Sequence, residues 1–312
     1  MSESVIIEQD RGRLQNAATH LTRLKRYFTG DLEGRVRSLY ELNDRKITGR
    51  SLYRDFLAIK TLYLNYGYWA TGAADQDEAS EALADLLAET VGISAGDRVL
   101  DCGFGYAEQD IRWARTREPQ RIVGVNVTNA QVEVARKRVA DLGLADVIDL
   151  RIGSATDVPL GAASTDRVVA LESALHFNTR QRFFEEAHRV LRPGGTIATA
   201  DLVPVLVGSS KPGPVQWLEH WVRDKVVPPD NWYTMETYAE RMRQAGFVDV
   251  DVKSITAEVI LPRVEFTRRR FAAPENRRLT ARQRFKMRLF LWIAERRVGS
   301  REYILAFGRK PE

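Results

Sequence analysis

Cysteine is almost missing from this chain: Cys102 stands alone among 312 residues. One thiol can neither close an intrachain disulfide nor build a cysteine-based zinc site, and a cytoplasmic setting is the expectation. Histidine is sparse, with four residues, and no Asp, Glu or His spacing resembles a ligand set, so no metal is expected. No run approaches the ~20 apolar residues of a membrane span. The opening "MSESVIIEQDRGR" lacks the basic-then-apolar order of a secretion signal. Internal repeats, low-complexity tracts, an RNA-binding module and an "NPPY"-like base-flipping segment are also lacking, so no nucleic-acid partner is expected.

What is present suits a globular enzyme. The hydrophobic fraction is 44%, enough for a substantial core. The net charge of +5 is unevenly spread. Leu261 to Glu312 holds 15 Lys and Arg against 5 Asp and Glu, while the other 260 residues are net negative. Such a skew fits an anionic partner, a subunit contact in a homo-oligomer or a solvated helix face.

From residue 98 onward, strands and helices alternate. "RVLDCG" (98–103), "RIVGVNV" (121–127), "VIDLRIGSA" (147–155), "DRVVALES" (166–173) and "TIATADLVP" (196–204) read as buried strands. Between and before them, 77–92, 129–143 and 179–195 read as helices. This order means βαβ crossovers and a doubly wound parallel sheet. Residues 12–70 read as helical, ending in the aromatic "YLNYGYW". Further on, 234–247 and 280–299 read as helices, and 248–259 and 301–310 as strands.

The stretch "VLDCGFGYAEQ" (99–109) runs a strand into a glycine turn and then a helix. Gly103 and Gly105 let backbone approach a ligand there, and the helix start offers free N–H groups. Asp101, before the first glycine, suits a cationic ligand better than a pyrophosphate.

With these motifs the chain resembles the class I S-adenosylmethionine-dependent methyltransferases of the small-molecule type. "VLDCGFGYA" resembles their first motif, "HRVLRPGGTIATAD" the segment through the fifth strand, and "LNYGYW" the lid over the methionine end. The resemblance implies S-adenosyl-L-methionine as cofactor. It also implies an α/β fold, a doubly wound seven-stranded Rossmann-like sheet with an N-terminal helical lid and an inserted helical cap. The expected divisions are 1–92 (lid), 93–204 (cofactor-binding core), 205–246 (acceptor-binding cap) and 247–312 (strands and a basic helix completing the core).

The cofactor residues so implied are Tyr66, Tyr68, Asp101, Gly103, Gly105, Asn126, Thr128, Gln131, Ser154 and Ala155. Two depart from the family pattern: Asn126 replaces the ribose-binding acid, and Ser154 replaces the adenine-binding acid. For chemistry the resemblance points to Glu172, His176 and Asp201. A histidine and an aspartate at these places act on an acceptor hydroxyl in similar O-methyltransferases. A glutamate at 172 fits the proton acceptor of isoprenoid C-methyltransferases. Packing for His176 and loop capping for Asp201 are the structural alternatives.

Trp69, Trp217, His220, Trp221 and Tyr233 are the candidates for an acceptor pocket, alongside ordinary core roles. The acceptor expected is a small, mostly apolar metabolite, methylated on oxygen or carbon. A phosphorylated head group held by Arg268, Arg269, Arg270, Arg277 and Arg278 is one variant. A non-catalytic binding protein with this fold is the other alternative.

Overall fold

The computed structural model describes residues 19, 21–48, 57, 59–205, 225–274, 279–296 and 298–312. Seven strands form one sheet: β1 (Arg98–Cys102), β2 (Arg121–Asn126), β3 (Ile148–Ile152), β4 (Thr165–Leu171), β5 (Leu191–Pro204), β6 (Val248–Ser254) and β7 (Arg301–Arg309). Their order is β3-β2-β1-β4-β5-β7-β6. The strands β1 to β5 pair in parallel, whereas β7 runs antiparallel to both neighbours, so the sheet is mixed.

Side chains alternate across the sheet, and the two faces bury different helices. Val99, Ile122 and Val169 face one layer, packing with Leu83 and Leu87 of α2 (Gln76–Val91), Ile111 and Trp113 of α3 (Glu108–Thr116) and Val132 of α4 (Asn129–Asp141). Leu100, Val123 and Val168 face the other, against Phe183 and Phe184 of α5 (Arg180–Val190) and Tyr238 and Met242 of α6 (Met235–Gln244). Each fully buried leucine or phenylalanine contributes about 2 kcal/mol. Helix α2 is set by its ends: Asp75 accepts the Glu78 N–H at 3.0 Å, Glu78 accepts the Ala74 N–H at 2.8 Å, and Gly92 closes it in the left-handed region.

Three expectations need correction. The helix expected to reach residue 195 ends at Val190, because Leu191 already pairs with Thr165 as the start of β5. The strand expected over 248–259 ends at Ser254, and α7 (Thr256–Ala272) follows. Pro262 inside that helix lacks the N–H that would reach Glu258, and the freed Glu258 carbonyl accepts the Trp69 N–H at 2.9 Å. Finally, α6, in the segment expected to form a cap, packs on the sheet beside β6.

Outside the sheet, α1 (Leu32–Thr48) crosses the carboxyl ends of the strands, and α8 (Ala281–Arg296) lies along α7. No helix of the described residues is long and apolar enough to cross a membrane.

Candidate active site

The chain reverses its winding between β1 and β4, and a cleft opens where neighbouring connections part. A cavity of about 960 Å³, counting its mouth, lies there. Its floor is the turns after β1 (Gly103–Tyr106), β2 (Asn126–Thr128), β3 (Gly153–Ala155) and β4 (Glu172, Ser173, His176). One wall is Leu62–Asn65, and α1 supplies the roof with Glu33, Val36 and Tyr40.

The glycine turn is shaped by close approach. Gly103 has φ +88°, and a Cβ there would sit 2.4 Å from that of Ser173, whose hydroxyl donates to the Cys102 carbonyl at 2.6 Å. Any larger residue would push the ends of β1 and β4 apart.

Asp101 is fully buried and does not line this cavity. It shares its strand face with Val99, so alternation turns it under α3 rather than into the cleft. There its Oδ2 accepts from Gln109 Nε2 at 2.9 Å, and Gln109 is the residue that reaches the cavity. Burial raises the Asp101 pKa to about 7, against the Gln109 bond, and burial raises its neighbour Asp110 too.

The β2 turn is organised by amides. Asn126 Oδ1 accepts the Thr128 N–H and its Nδ2 donates to Gln131 Oε1, both at 2.9 Å. Two lining atoms are left over: Thr128 Oγ1 and Gln131 Nε2 are buried with no hydrogen-bond partner. An unmet buried donor costs about 1–3 kcal/mol, so the pair fits a ligand bearing hydroxyls.

At the β4 end, His176 sits in a 3₁₀ turn (Ala174–His176). Its Nδ1 lies 2.8 Å from the Val226 carbonyl, which can only accept, so Nδ1 carries the hydrogen. Nε2 therefore presents a lone pair, and the Tyr40 hydroxyl donates to it at 3.3 Å. Burial pulls the imidazole below its ordinary 6.5 and pushes the Tyr40 phenol up to about 12, so a neutral base faces a protonated phenol. Asn231 holds this turn, donating to the Leu175 and Phe177 carbonyls at 3.1 and 2.7 Å. Sequence reasoning missed Tyr40 and Glu33, since nothing local to residues 31–40 marks them as cavity residues, and Asn231, whose support of this turn depends on a contact across the fold.

Glu172 lines the cavity with its backbone at φ +51°. Its Oε1 accepts the Tyr66 N–H at 2.6 Å and the Tyr303 hydroxyl at 2.8 Å. Burial raises its pKa to about 7 despite those two donors.

Of the remaining expected residues, some line the cavity and others lie elsewhere. Asp201 accepts from buried Arg180 at 2.9 Å and from the Leu202 N–H at 2.8 Å, away from the cavity; a buried guanidinium needs that charge beside it. The wall comes from Tyr63, Leu64 and Asn65 rather than Tyr66 and Tyr68, because Gly67 turns the chain onto α2. The Tyr66 ring stacks under Arg263 at 4.1 Å, and Trp69 packs on Phe266. Tyr233 packs on Tyr238 and Arg180. Ser154 and Ala155 line the cavity. Trp217, His220 and Trp221 lie outside the described residues. Among the described residues no group of three His, Cys, Asp or Glu is placed to hold a metal.

Residues 100–199 match the model of a methyltransferase domain. The chain is 44% identical over 207 residues to erythromycin 3''-O-methyltransferase of Saccharopolyspora erythraea, covering 65% of this chain and 68% of that protein. It belongs to the class I S-adenosylmethionine-dependent methyltransferases. S-adenosylmethionine is thus the methyl donor of this methyltransferase.

A second relative is 27-O-demethylrifamycin SV methyltransferase of Amycolatopsis mediterranei, 39% identical over 147 residues, 46% of the methyltransferase and 54% of the relative. The match thus spans about half the length of that relative. Among solved structures, the cyclase SpnF superposes with TM-score 0.68 at 23% identity, over 90% of this chain and 96% of that one. Geranyl diphosphate C-methyltransferase from Streptomyces coelicolor gives 0.62 at 19% identity, over 80% and 88%. These likenesses share the fold, which hosts more than one chemistry.

Proposed function

We propose that this methyltransferase methylates a hydroxyl oxygen of a small, largely apolar natural product, a hydroxylated or glycosylated polyketide being the acceptor class best supported. The observation that carries this reading is His176, a cavity-lining imidazole whose unprotonated Nε2 accepts from the Tyr40 hydroxyl. Bound S-adenosylmethionine supplies a methyl group already activated on a sulfonium sulfur. The protein's work is then to align the acceptor, exclude water and take one proton.

Thr128 Oγ1 and Gln131 Nε2 fit the ribose hydroxyls, and the turn at Gly103–Tyr106 offers backbone to the methionine end. His176 accepts the acceptor's hydroxyl proton at Nε2 once that hydroxyl takes the place of the Tyr40 hydroxyl on its lone pair, while Val226 holds the ring in the required tautomer. Glu172 acts through position: it ties the Tyr66 backbone to the end of β4 and so sets the wall at 63–65. Both relatives named above carry O-methyltransferase or O-demethyl substrate names, which supports oxygen over carbon. A diphosphate acceptor fits poorly, since no Lys or Arg stands among the described lining residues. Arg268 is instead paired with Glu265 and Glu295 on the surface.

The test is a screen of hydroxylated macrolides and ansamycins beside geranyl diphosphate, with isotopically labelled donor and mass-spectrometric readout. Label on a hydroxyl oxygen is expected. Label on an isoprenoid carbon, with no hydroxyl acceptor labelled, overturns the reading.

A further inference from the structure

The sheet gives the cavity a direction. Its β4 end carries His176, its middle lies over Asn126–Gln131, and its far end lies over Gly153–Ala155. With the reacting methyl near His176 and the ribose over β2, the purine falls over β3. Its 6-amino group is a hydrogen-bond donor and needs an acceptor there.

The β3 turn offers Ser154, a neutral hydroxyl whose hydrogen is already directed elsewhere. Ser154 Oγ donates at 2.7 Å to Glu33 Oε1, on the lid helix α1. Glu33 lines the cavity, and its Oε2 takes no hydrogen bond from the described residues. The helix is seated independently of this contact. Asp31 caps its start by accepting the Gly34 N–H at 2.8 Å, and Arg37 Nε donates to the Val127 carbonyl at 2.9 Å. Val36 packs in one buried cluster with Val127 and Leu175. The carboxylate is therefore held over the β2–β3 rim by the roof rather than the floor.

We propose that Glu33 is the purine-recognition residue of this methyltransferase, accepting the donor's 6-amino group while Ser154 orients the carboxylate. A charged acceptor makes the stronger bond, and a 6-oxo purine would place oxygen against oxygen. The proposal rests on the cofactor reading of the cavity and is independent of the acceptor and its base.

Calorimetry separates the two. Wild type is titrated with S-adenosylhomocysteine and with S-inosylhomocysteine, its 6-oxo counterpart, and a preference of about 10- to 100-fold for the amino form is expected. In Glu33→Ala that preference collapses to within about threefold, mainly through weaker S-adenosylhomocysteine binding. Glu33→Ala combined with Ser154→Asp restores it, by returning an acid to the β3 turn. Binding of S-adenosylhomocysteine by wild type with an undiminished preference in Glu33→Ala overturns Glu33 alone. Failure of wild type to bind S-adenosylhomocysteine overturns the cofactor reading of the cavity and this inference with it.

Discussion

The floor and the roof of the cavity are built on different principles. The floor consists of strand-end turns that present backbone, hydroxyl and amide groups from Gly103 to Ser173. The roof, from residues 33 to 40 of α1, brings a carboxylate and a phenol to groups on that floor: Glu33 to Ser154 and Tyr40 to His176. Apart from Glu172, which is tied up by the Tyr66 N–H and the Tyr303 hydroxyl, the floor groups are uncharged polar groups and backbone. In the proposed scheme, discrimination and proton handling depend on groups that α1 brings to the floor. On the proposed roles, recognition and chemistry in this methyltransferase are divided between the parallel strand ends of the sheet and a helix distant in sequence.

That division can be challenged by substitution on each side. The largest effect is expected for His176→Ala, which removes the proposed base. Turnover should fall by about 10²- to 10⁴-fold, while the affinity for S-adenosylhomocysteine, read by calorimetry, stays unchanged. A matching loss of affinity would make His176 part of the cofactor's floor instead.

Next comes Asp201→Ala, which strands the buried Arg180 guanidinium. Urea unfolding should report a loss of about 3–5 kcal/mol. Intact stability with lost turnover would return Asp201 to the chemistry.

Within the floor, Gln131→Leu removes an unpaired donor and should weaken S-adenosylhomocysteine by about tenfold. Asp101→Asn keeps an acceptor for Gln109 and should change that affinity by no more than about threefold. The reverse ranking would mean that Asp101, not the β2 turn, meets the donor.

The smallest effect is expected for Tyr40→Phe, a loss of several-fold in kcat/KM with a shift in its pH profile. Burial holds His176 below 6.5, so the wild-type base remains neutral near pH 7 and activity declines only as acid protonates it. Losing the phenol's bond to Nε2 favours the imidazolium, so the acid limb should move to higher pH. An unmoved limb would leave Tyr40 a packing residue.

The strand and helix order from 98 to 204 was legible because each element has its own periodicity and its own stop signal. The glycine turn, Asn126, Thr128, Gln131 and His176 were legible because a strand's end places them at the cleft whatever surrounds it. Asp101's chemical type suits a cationic ligand, but its place in the alternation of β1 turns it beneath α3. Tyr66, Trp69 and Tyr233 pack against Arg263, Phe266 and Tyr238, because aromatic side chains serve core and pocket equally well. Helix α7 was hidden by Pro262, whose missing hydrogen bond is made good only by Trp69, far away in the chain.

Local pattern was therefore enough for the layered architecture, the glycine turn and the residues at strand tips, since these follow from short-range periodicity and backbone freedom. Packing alone decided that Asp101 lies beneath α3, that Asp201 serves Arg180, and that Glu33 and Tyr40 complete the cavity. Each of those outcomes depends on which distant side chain reaches a buried charge or an open lone pair first, and no local stretch of residues carries that information.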